Sequence, residues 1–336
     1  MFGTKARTTG RRAGMTLVAA VGAALGALVL ATSTSANAAQ FPGTISRLLV
    51  TDTDSSTNPA TEYIVTVNPD GSNPTDVTYG HYGSVDAAGT KVVSSRSNST
   101  TIQLTNIDGT GSTTIYTAAA AGRVLSDVTM SPDGSTIVFK NADATSATPP
   151  VVARVNADGT GYTVISSAFT QILTLQYSPD GTRIVLLADT GSGVGIQTLP
   201  ISGGAPTMVL AGSVAWPSWT PDGRIMFVSY VGSVDSLKVM NADGTGVTTL
   251  FSETAAGVSS INSAMMSPDG TKVAFNAPYA GNPALWVANV DGTGSTRIRA
   301  VGGLGTEMLV WITTPAPSTS TTITPSADPV APAFTG

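Results

Sequence analysis

The chain has 336 residues, and its 16 lysines and arginines against 21 aspartates and glutamates give a formal net charge of −5. It contains no cysteine and one histidine, which excludes disulfide bonds, a lipid-modified cysteine and any metal site built on several imidazoles. The acidic balance and the lack of a basic stripe argue against nucleic acid as a partner.

The first 39 residues have the features of a secretory signal peptide. Four basic side chains precede an apolar run from Met15 to Ala31, and Ala36-Asn37-Ala38 matches an A-x-A cleavage site. We predict cleavage after Ala38 or Ala39, export to the cell envelope, periplasm or medium, and no stable membrane insertion afterwards. The alternative is an uncleaved anchor.

Cleavage removes the four basic charges and leaves 16 − 4 = 12 basic against 21 acidic residues, a net charge of −9.

A four-residue turn motif recurs along the rest of the chain. Ser-Pro-Asp-Gly or Thr-Pro-Asp-Gly occurs at 131–134, 178–181, 220–223 and 267–270, so that the aspartates lie 47, 42 and 47 residues apart. Each residue type suits a hairpin, because proline presets φ, aspartate bonds its own backbone and glycine accepts positive φ. Alternating apolar residues after each copy predict a strand with one buried face. An eroded fifth copy lies at 85–90.

A second turn series interleaves with the first. Its motif is Asn-x-Asp-Gly, with copies at 68–71, 106–109, 156–159, 241–244 and 289–292 and a degenerate copy at 201–204. Short apolar segments lie on both sides of each copy, which predicts a second hairpin. Two hairpins in each period of about 45 residues make four strands per unit, which is typical of a β-propeller blade.

The two ends of the repeat region complement each other. The first unit has three predicted strands, Ile45 to Thr51, Thr61 to Val67 and Thr75 to Tyr79, and lacks an inner one. The segment from Glu307 to Trp311 resembles an inner strand, but no turn follows it. We therefore predict an all-β fold over residues 40–314, a six-bladed β-propeller of four-stranded blades closed by a C-terminal strand that completes the first blade. The Pro/Ser/Thr-rich tail, 315–336, is predicted to be disordered.

The paired turns also resemble a known repeat. Ser-Pro-Asp-Gly-Thr-Lys-Val-Ala-Phe at 267–275, followed by Val-Ala-Asn-Val-Asp-Gly-Thr-Gly at 287–294, is similar to the WD40-like PD40 repeat of the TolB-type six-bladed propeller. The resemblance covers about residues 41–314 and implies the fold. It leaves the function open, because such repeats occur in periplasmic translocation proteins, in the gating propellers of prolyl oligopeptidase-like enzymes and in other secreted proteins. We expect this chain to have neither the α/β domain of TolB nor the catalytic domain of the peptidases. We therefore expect neither a translocation role inherited from TolB nor peptidase activity.

The carboxylates of the turns are best explained by turn structure. Nine of the 21 acidic residues lie in the two turn series. The Asn-x-Asp-Gly-Thr-Gly loops resemble the start of a calcium-binding loop but lack its downstream glutamate and its third acidic position. No G-x-S-x-G motif is present, so a Ser-His-Asp triad would have to use His81. We assign no catalytic residue, no metal ligand and no cofactor, with calcium as the alternative.

Ligands of propellers commonly bind at the mouth of the central channel, where the inner strands begin. Counting six and seven residues back from each first-series aspartate, or its equivalent, selects one pair per blade. The pairs are His81/Tyr82, Ser126/Asp127, Leu173/Thr174, Ala215/Trp216, Asn262/Ser263 and Glu307/Met308. The predicted ligand-binding residues are His81, Tyr82, Asp127, Trp216, Asn262 and Glu307. The alternative is that these side chains only fill the channel.

Together these observations predict an exported, non-catalytic binding scaffold. It would be a monomer that recognises an envelope or extracellular protein, peptide or glycan at the channel mouth. The alternative is a propeller enzyme, a lactonase, lyase or glycosidase, that uses channel-mouth carboxylates such as Asp127 and Glu307 with or without a metal. Such an enzyme needs at least two reactive groups within reach of one substrate atom.

Overall fold

A computed structural model describes residues 44–54, 61–86, 88–300 and 309–314. Within these residues, 24 strands form six antiparallel sheets of four strands each, and the helix Glu253–Ala256 is a single turn. In this part of the chain there is no helix with the length and apolar character needed to cross a bilayer. The predicted signal peptide and the predicted tail lie outside the described residues.

Five of the six blades take their strands consecutively from the chain, from the innermost to the outermost. The second blade contains β4 (Tyr82–Val85), β5 (Lys91–Ser95), β6 (Thr101–Asn106) and β7 (Thr113–Thr117). The third contains β8 (Arg123–Met130), β9 (Thr136–Asp143), β10 (Val151–Asn156) and β11 (Thr163–Ser166). The fourth contains β12 (Gln171–Tyr177), β13 (Arg183–Asp189), β14 (Val194–Pro200) and β15 (Thr207–Ala211). The fifth contains β16 (Val214–Trp219), β17 (Ile225–Ser229), β18 (Ser236–Met240) and β19 (Thr248–Ser252). The sixth contains β20 (Ala264–Met266), β21 (Lys272–Tyr279), β22 (Asn282–Asn289) and β23 (Thr296–Ala300).

The first blade combines the two ends of the repeat region. Its strands, from the innermost outwards, are β24 (Leu309–Thr314), β1 (Thr44–Asp54), β2 (Thr61–Val67) and β3 (Thr75–Tyr79). In the antiparallel pairing of β24 with β1, Trp311 lies opposite Leu48. The buried Trp311 indole also donates a hydrogen bond to the Met265 carbonyl of the sixth blade, at 3.0 Å. Strand β24 therefore closes the ring, and the predicted fold is confirmed.

The apolar core is divided among the six boundaries between adjacent blades. One buried cluster lies at each boundary, because each sheet presents alternate side chains to the sheet on either side. Hydrogen bonds between inner strands add to this packing. Gln176 Oε1 accepts one from the Trp219 backbone amide at 2.7 Å, and Ser218 Oγ donates one to the Ala264 carbonyl at 3.0 Å. The fold thus depends on contacts between blades as much as on those within them.

The two turn series join different strands of each blade. The first series connects the innermost strand to the second, and the second connects the third strand to the outermost. In the turn at 267–270, Asp269 Oδ1 accepts hydrogen bonds from Ser267 Oγ at 2.6 Å and from the Thr271 amide at 3.0 Å. Asp243 Oδ1 is bonded in the same way by the amide and hydroxyl of Thr245. The turn aspartates therefore stabilise their own turns by hydrogen bonds.

These turns make the stability of the protein dependent on pH. Hydrogen bonds from neighbouring Ser and Thr groups lower the pKa of the turn aspartates from the ordinary value of 3.8. Burial opposes this effect in Asp180 and Asp269 but is outweighed. A lowered folded-state pKa stabilises the fold above the unfolded pKa, and this stabilisation is lost as the pH falls. We expect the free energy of unfolding, measured in urea, to decrease steeply below about pH 4; a constant value down to about pH 2.5 would contradict this.

The second-series turns also pack against the preceding blade. A Cβ atom at Gly159, where φ is +87°, would lie 2.1 Å from the Ile115 carbonyl oxygen, and one at Gly244 would lie 2.3 Å from the Val209 carbonyl oxygen. At Gly223, in the first series, φ is +81° but no atom lies within 4 Å of the same position. Glycine is thus required in the second series both by its backbone angle and by the neighbouring blade.

The outer edges of all six blades are irregular. In every pairing of the third strand with the outermost one, the register shifts at one position. The shifts lie at Ile64/Val65, Ile102/Gln103, Val152/Ala153, Ile196/Gln197, Leu237/Lys238 and Leu285/Trp286. Such bulges twist an edge strand and disfavour its pairing with another chain.

Candidate functional site

The two faces of the ring have different connections. We call the face that carries both turn series the turn face, since both kinds of turn join strands at the same end of the blade. The opposite face, the loop face, carries the connections between the second and third strands and those between blades. The described loop-face segments differ in length, from two residues at 280–281 to eleven at 253–263, where the short helix lies. Recognition usually uses irregular loops on a rigid scaffold, so the loop face is the better place to look for a site.

Among the described mouth residues, His81, Tyr82 and Asn262 lie at or just before the start of an inner strand, whereas Asp127 and Trp216 lie within β8 and β16. His81, Tyr82 and Asp127 are buried, whereas Trp216 and Asn262 are partly exposed. Tyr82 packs in the core cluster between the second and third blades. Glu307 lies outside the described residues. The binding role of all six residues stays a prediction.

His81 forms a part-buried pair with a carboxylate that the sequence analysis did not identify. Its Nδ1 lies 2.6 Å from Glu62 Oε1, which also accepts a hydrogen bond from Ser97 Oγ at 3.0 Å. Burial alone would raise the pKa of Glu62, but the bond and the charge of His81 outweigh it and lower the pKa. Glu62 is the second residue of β2 and belongs to no sequence motif, so its role becomes visible only from the packing of the second blade against the first.

Asp127 is fully buried in a strained segment of β8. Its φ is +53°, and the register of β8 shifts between Ser126 and Thr129. Asp127 Oδ2 lies 2.9 Å from Lys140 Nζ and accepts a hydrogen bond from Ser126 Oγ at 2.9 Å, while Oδ1 has no hydrogen-bond partner among the described residues. Burial raises the pKa of Asp127, and Lys140 opposes that increase. Lys140 also donates to the Ile172 carbonyl at 3.3 Å, which links the third blade to the fourth.

Trp216 occupies the matching position in the fifth blade. Its φ is +57°, and the register of β16 shifts between Ala215 and Ser218. The indole Nε1 donates a hydrogen bond to Tyr230 Oη at 3.0 Å. A left-handed backbone is unusual for tryptophan and persists only where the surroundings impose it. The bulge therefore fixes the direction of a partly exposed indole at the loop face.

The loop that follows Tyr230 extends this aromatic pair. Val231 is 71% exposed and Val234 is 37% exposed, so both side chains are accessible to a ligand. We call Trp216, Tyr230, Val231 and Val234 the loop-face patch. Tyr230 Oη also donates to the carbonyl of Ile261, at 3.4 Å, so the patch is connected to the segment that contains the predicted residue Asn262.

The acidic and basic side chains of the site form two separate ion pairs within the protein. Burial, which raises the pKa of Asp127, is the largest influence on this carboxyl, and the charge of His81 acts in the opposite direction. Each group has its own partner, however, Glu62 for His81 and Lys140 for Asp127. Across the described segments, no three His, Cys, Asp or Glu side chains are grouped so that they could hold a metal ion. The prediction that the protein needs no cofactor stays a prediction.

Six four-stranded blades closed by β24 define a six-bladed β-propeller whose fold is similar to that of TolB. No protein-family profile matches the chain. It is similar to a protein TolB homolog from Chlorobium luteolum, with 29% identity over 142 residues, which span 42% of this chain and 31% of that protein. The resemblance to TolB-type propellers is confirmed at the level of fold.

Solved structures agree with this assignment. TolB from Acinetobacter baumannii superposes with a TM-score of 0.62 at 16% identity and covers 81% of this chain and 67% of its own. An oligogalacturonate lyase in complex with manganese superposes with a TM-score of 0.53 at 13% identity, over 72% of this chain and 73% of its own. At these identities the likeness shows the fold alone, and the same fold serves different functions.

Proposed function

We propose that the protein is an exported, non-catalytic scaffold that binds an envelope or extracellular protein, peptide or glycan through the loop-face patch. The geometry of Trp216 carries the proposal. An indole held by a strand bulge and by a bond to Tyr230 loses little conformational freedom on binding. Tryptophan and tyrosine combine a large apolar surface with a polar tip, which suits peptides and sugars.

The arrangement of the charged groups supports binding without catalysis. The alternative, a propeller enzyme, would use Asp127 with Glu307. Asp127 is fully buried and paired with Lys140, and the only histidine is paired with Glu62, so the groups that would transfer protons already have protein partners. The acidic balance of the chain does not favour nucleic acid as the ligand. The bulged outer edges support a monomer.

Export is inferred from the leader at residues 1–39 and from the TolB-like fold. The measurement that tests it is the N-terminus of the protein recovered from the envelope fraction or the medium. A first residue of Ala39 or Gln40 is expected. An intact N-terminus at Met1 in a membrane fraction would favour the uncleaved anchor.

The binding proposal predicts that Trp216→Ala weakens ligand capture at least about tenfold, as expected for a central aromatic anchor. A photo-crosslinking amino acid at Val231 would trap the ligand in intact cells, and mass spectrometry or glycan staining would distinguish protein or peptide from glycan. The matched control is Trp286→Ala. Trp286 is also partly exposed, and its indole donates to the Ala277 carbonyl at 3.2 Å, but it lies on β22 of the sixth blade outside the patch.

Loss of the crosslinked species in Trp216→Ala and its retention in Trp286→Ala would support the patch as the site. Equal recovery from wild type and Trp216→Ala would overturn the assignment. Chemical conversion of a trapped glycan by the wild-type protein would instead establish the enzyme alternative. Urea unfolding of both variants shows whether any loss of capture arises from unfolding.

A further inference from the structure

A polar groove of about 220 Å³ lies between the first and second blades, separate from the loop-face patch. Tyr79, at the end of β3, forms one wall. Residues of β5 and β6 and of the loop between them form the other. Seven residues line the groove; one is cationic, the other six carry a hydroxyl or amide group, and none is acidic. The groove lining therefore carries a net positive charge, although the whole chain has more acidic than basic residues.

Arg96 supplies that charge and has unused hydrogen-bonding capacity. Its guanidinium carbon lies 5.1 Å from the centre of the Tyr79 ring, and the other neighbour of this ring is Tyr63, at 4.9 Å. The Arg96 guanidinium forms no ion pair or side-chain hydrogen bond with any described residue. Stacking on an aromatic face orients the planar guanidinium and leaves its N–H groups free.

Ser94 provides a second unused donor, and this one is buried. Its side chain is 1% exposed, and Oγ has no hydrogen-bond partner within the described part of the chain. Ser94 is paired across the sheet with Gln103, so both side chains are on the same face. Val92, two residues earlier on that face, packs in the cluster shared with the first blade, which places Ser94 and Gln103 on the groove side.

An unpaired buried hydroxyl is unfavourable, and native structures keep few of them. Here it lines a groove together with a guanidinium and an amide whose donors are unused. The lack of a lining carboxylate disfavours a cation. The nearby Glu62 is already bonded to His81 and Ser97. The groove is smaller than the pockets of ~300–1,000 Å³ that hold drug-sized ligands, so it suits a single small molecule.

We propose that this groove binds an acidic sugar, a small polyhydroxylated molecule with one oxyanionic group. The Arg96 guanidinium pairs with the oxyanion, a carboxylate or a phosphate, because its planar fork matches both. Ser94 Oγ and the Gln103 amide bond to the sugar hydroxyls. The proposal is independent of the loop-face patch, since the two sites share no residue.

Isothermal titration of the protein with glucuronate, glucose 6-phosphate and glucose tests this site. We expect binding of one or both acids and none of glucose, and a loss of affinity of at least about tenfold in Arg96→Gln. The matched control is Arg297→Gln, because Arg297 also lies over a tyrosine ring, that of Tyr279, at 4.0 Å, but outside the groove. Binding of glucuronate alone identifies a carboxylate as the recognised group, and binding of glucose 6-phosphate alone identifies a phosphate.

Ser94→Ala separates recognition from stability. Because the hydroxyl has no protein partner, its removal is expected to leave the urea midpoint unchanged or higher while the acid binds several-fold more weakly. Binding of glucose as tight as that of the acids, no binding of either acid, or equal affinities of wild type and Arg96→Gln would each overturn the proposal.

Discussion

Replacing Lys140 by methionine is expected to lower the free energy of unfolding by about 3–5 kcal/mol at neutral pH, as when one partner of a buried ion pair is removed. Lys140 Nζ lies 2.9 Å from Asp127 Oδ2, and the carboxylate is fully buried. Methionine preserves the apolar part of the side chain but removes the charge. Asp127 would then keep only the hydrogen bond from Ser126 Oγ at 2.9 Å.

This loss should depend on pH in a defined direction. Burial raises the pKa of Asp127 in the folded protein, and the Lys140→Met variant loses the charge that opposes this increase. Between the unfolded pKa and the raised folded pKa, the folded state binds more protons than the unfolded state, so stability falls as the pH rises. The difference between the variant and the wild type is therefore largest at neutral pH. It shrinks towards the ordinary carboxyl pKa of 3.8.

Urea unfolding of both proteins at several pH values measures this difference. Lys238→Met is the matched control, because Lys238 is also partly buried in a strand, β18, but has no described ion pair. It should change stability by no more than about 0.5 kcal/mol. Asp127→Asn combined with Lys140→Met should recover much of the loss. A deficit that is the same at every pH would show that the charge of Asp127 is not its cause.

Gly159→Ala is expected to destabilise the protein by about 2–5 kcal/mol. An alanine at positive φ costs about 1–2 kcal/mol, and a steric clash in a packed region adds about 1–3 kcal/mol. Both apply at Gly159, where φ is +87° and the added Cβ would lie 2.1 Å from the Ile115 carbonyl oxygen of the preceding blade. Backbone atoms cannot rotate away as a flexible side chain can, so the second blade would have to shift.

Gly223→Ala isolates the first of these two effects. Its φ of +81° is close to that of Gly159, but no atom lies within 4 Å of the added Cβ, so the expected loss is about 1–2 kcal/mol. Midpoints of urea unfolding for the two variants give the comparison. Equal losses would mean that the second-series turns do not depend on close packing between blades.

The sequence by itself determined the number of blades and the closure of the ring. Both follow from local chemistry, because Pro, Asp and Gly impose a turn wherever they occur together and the intervals between turns then set the strands. The aspartates at 133, 180, 222 and 269 mark four blades directly. The missing inner strand at the start and the extra strand at the end identified the pairing of β1 with β24.

Only the tertiary structure decided which side chains meet between blades. Glu62 reaches His81 across 19 residues, and Tyr79 orients Arg96 across a blade boundary. Neither contact belongs to a repeated motif. The left-handed backbones of Asp127 and Trp216 were equally hidden, because a non-glycine residue adopts positive φ only where surrounding packing and strand register impose it. Local turn chemistry therefore specifies the propeller, whereas the site depends on how neighbouring sheets pack.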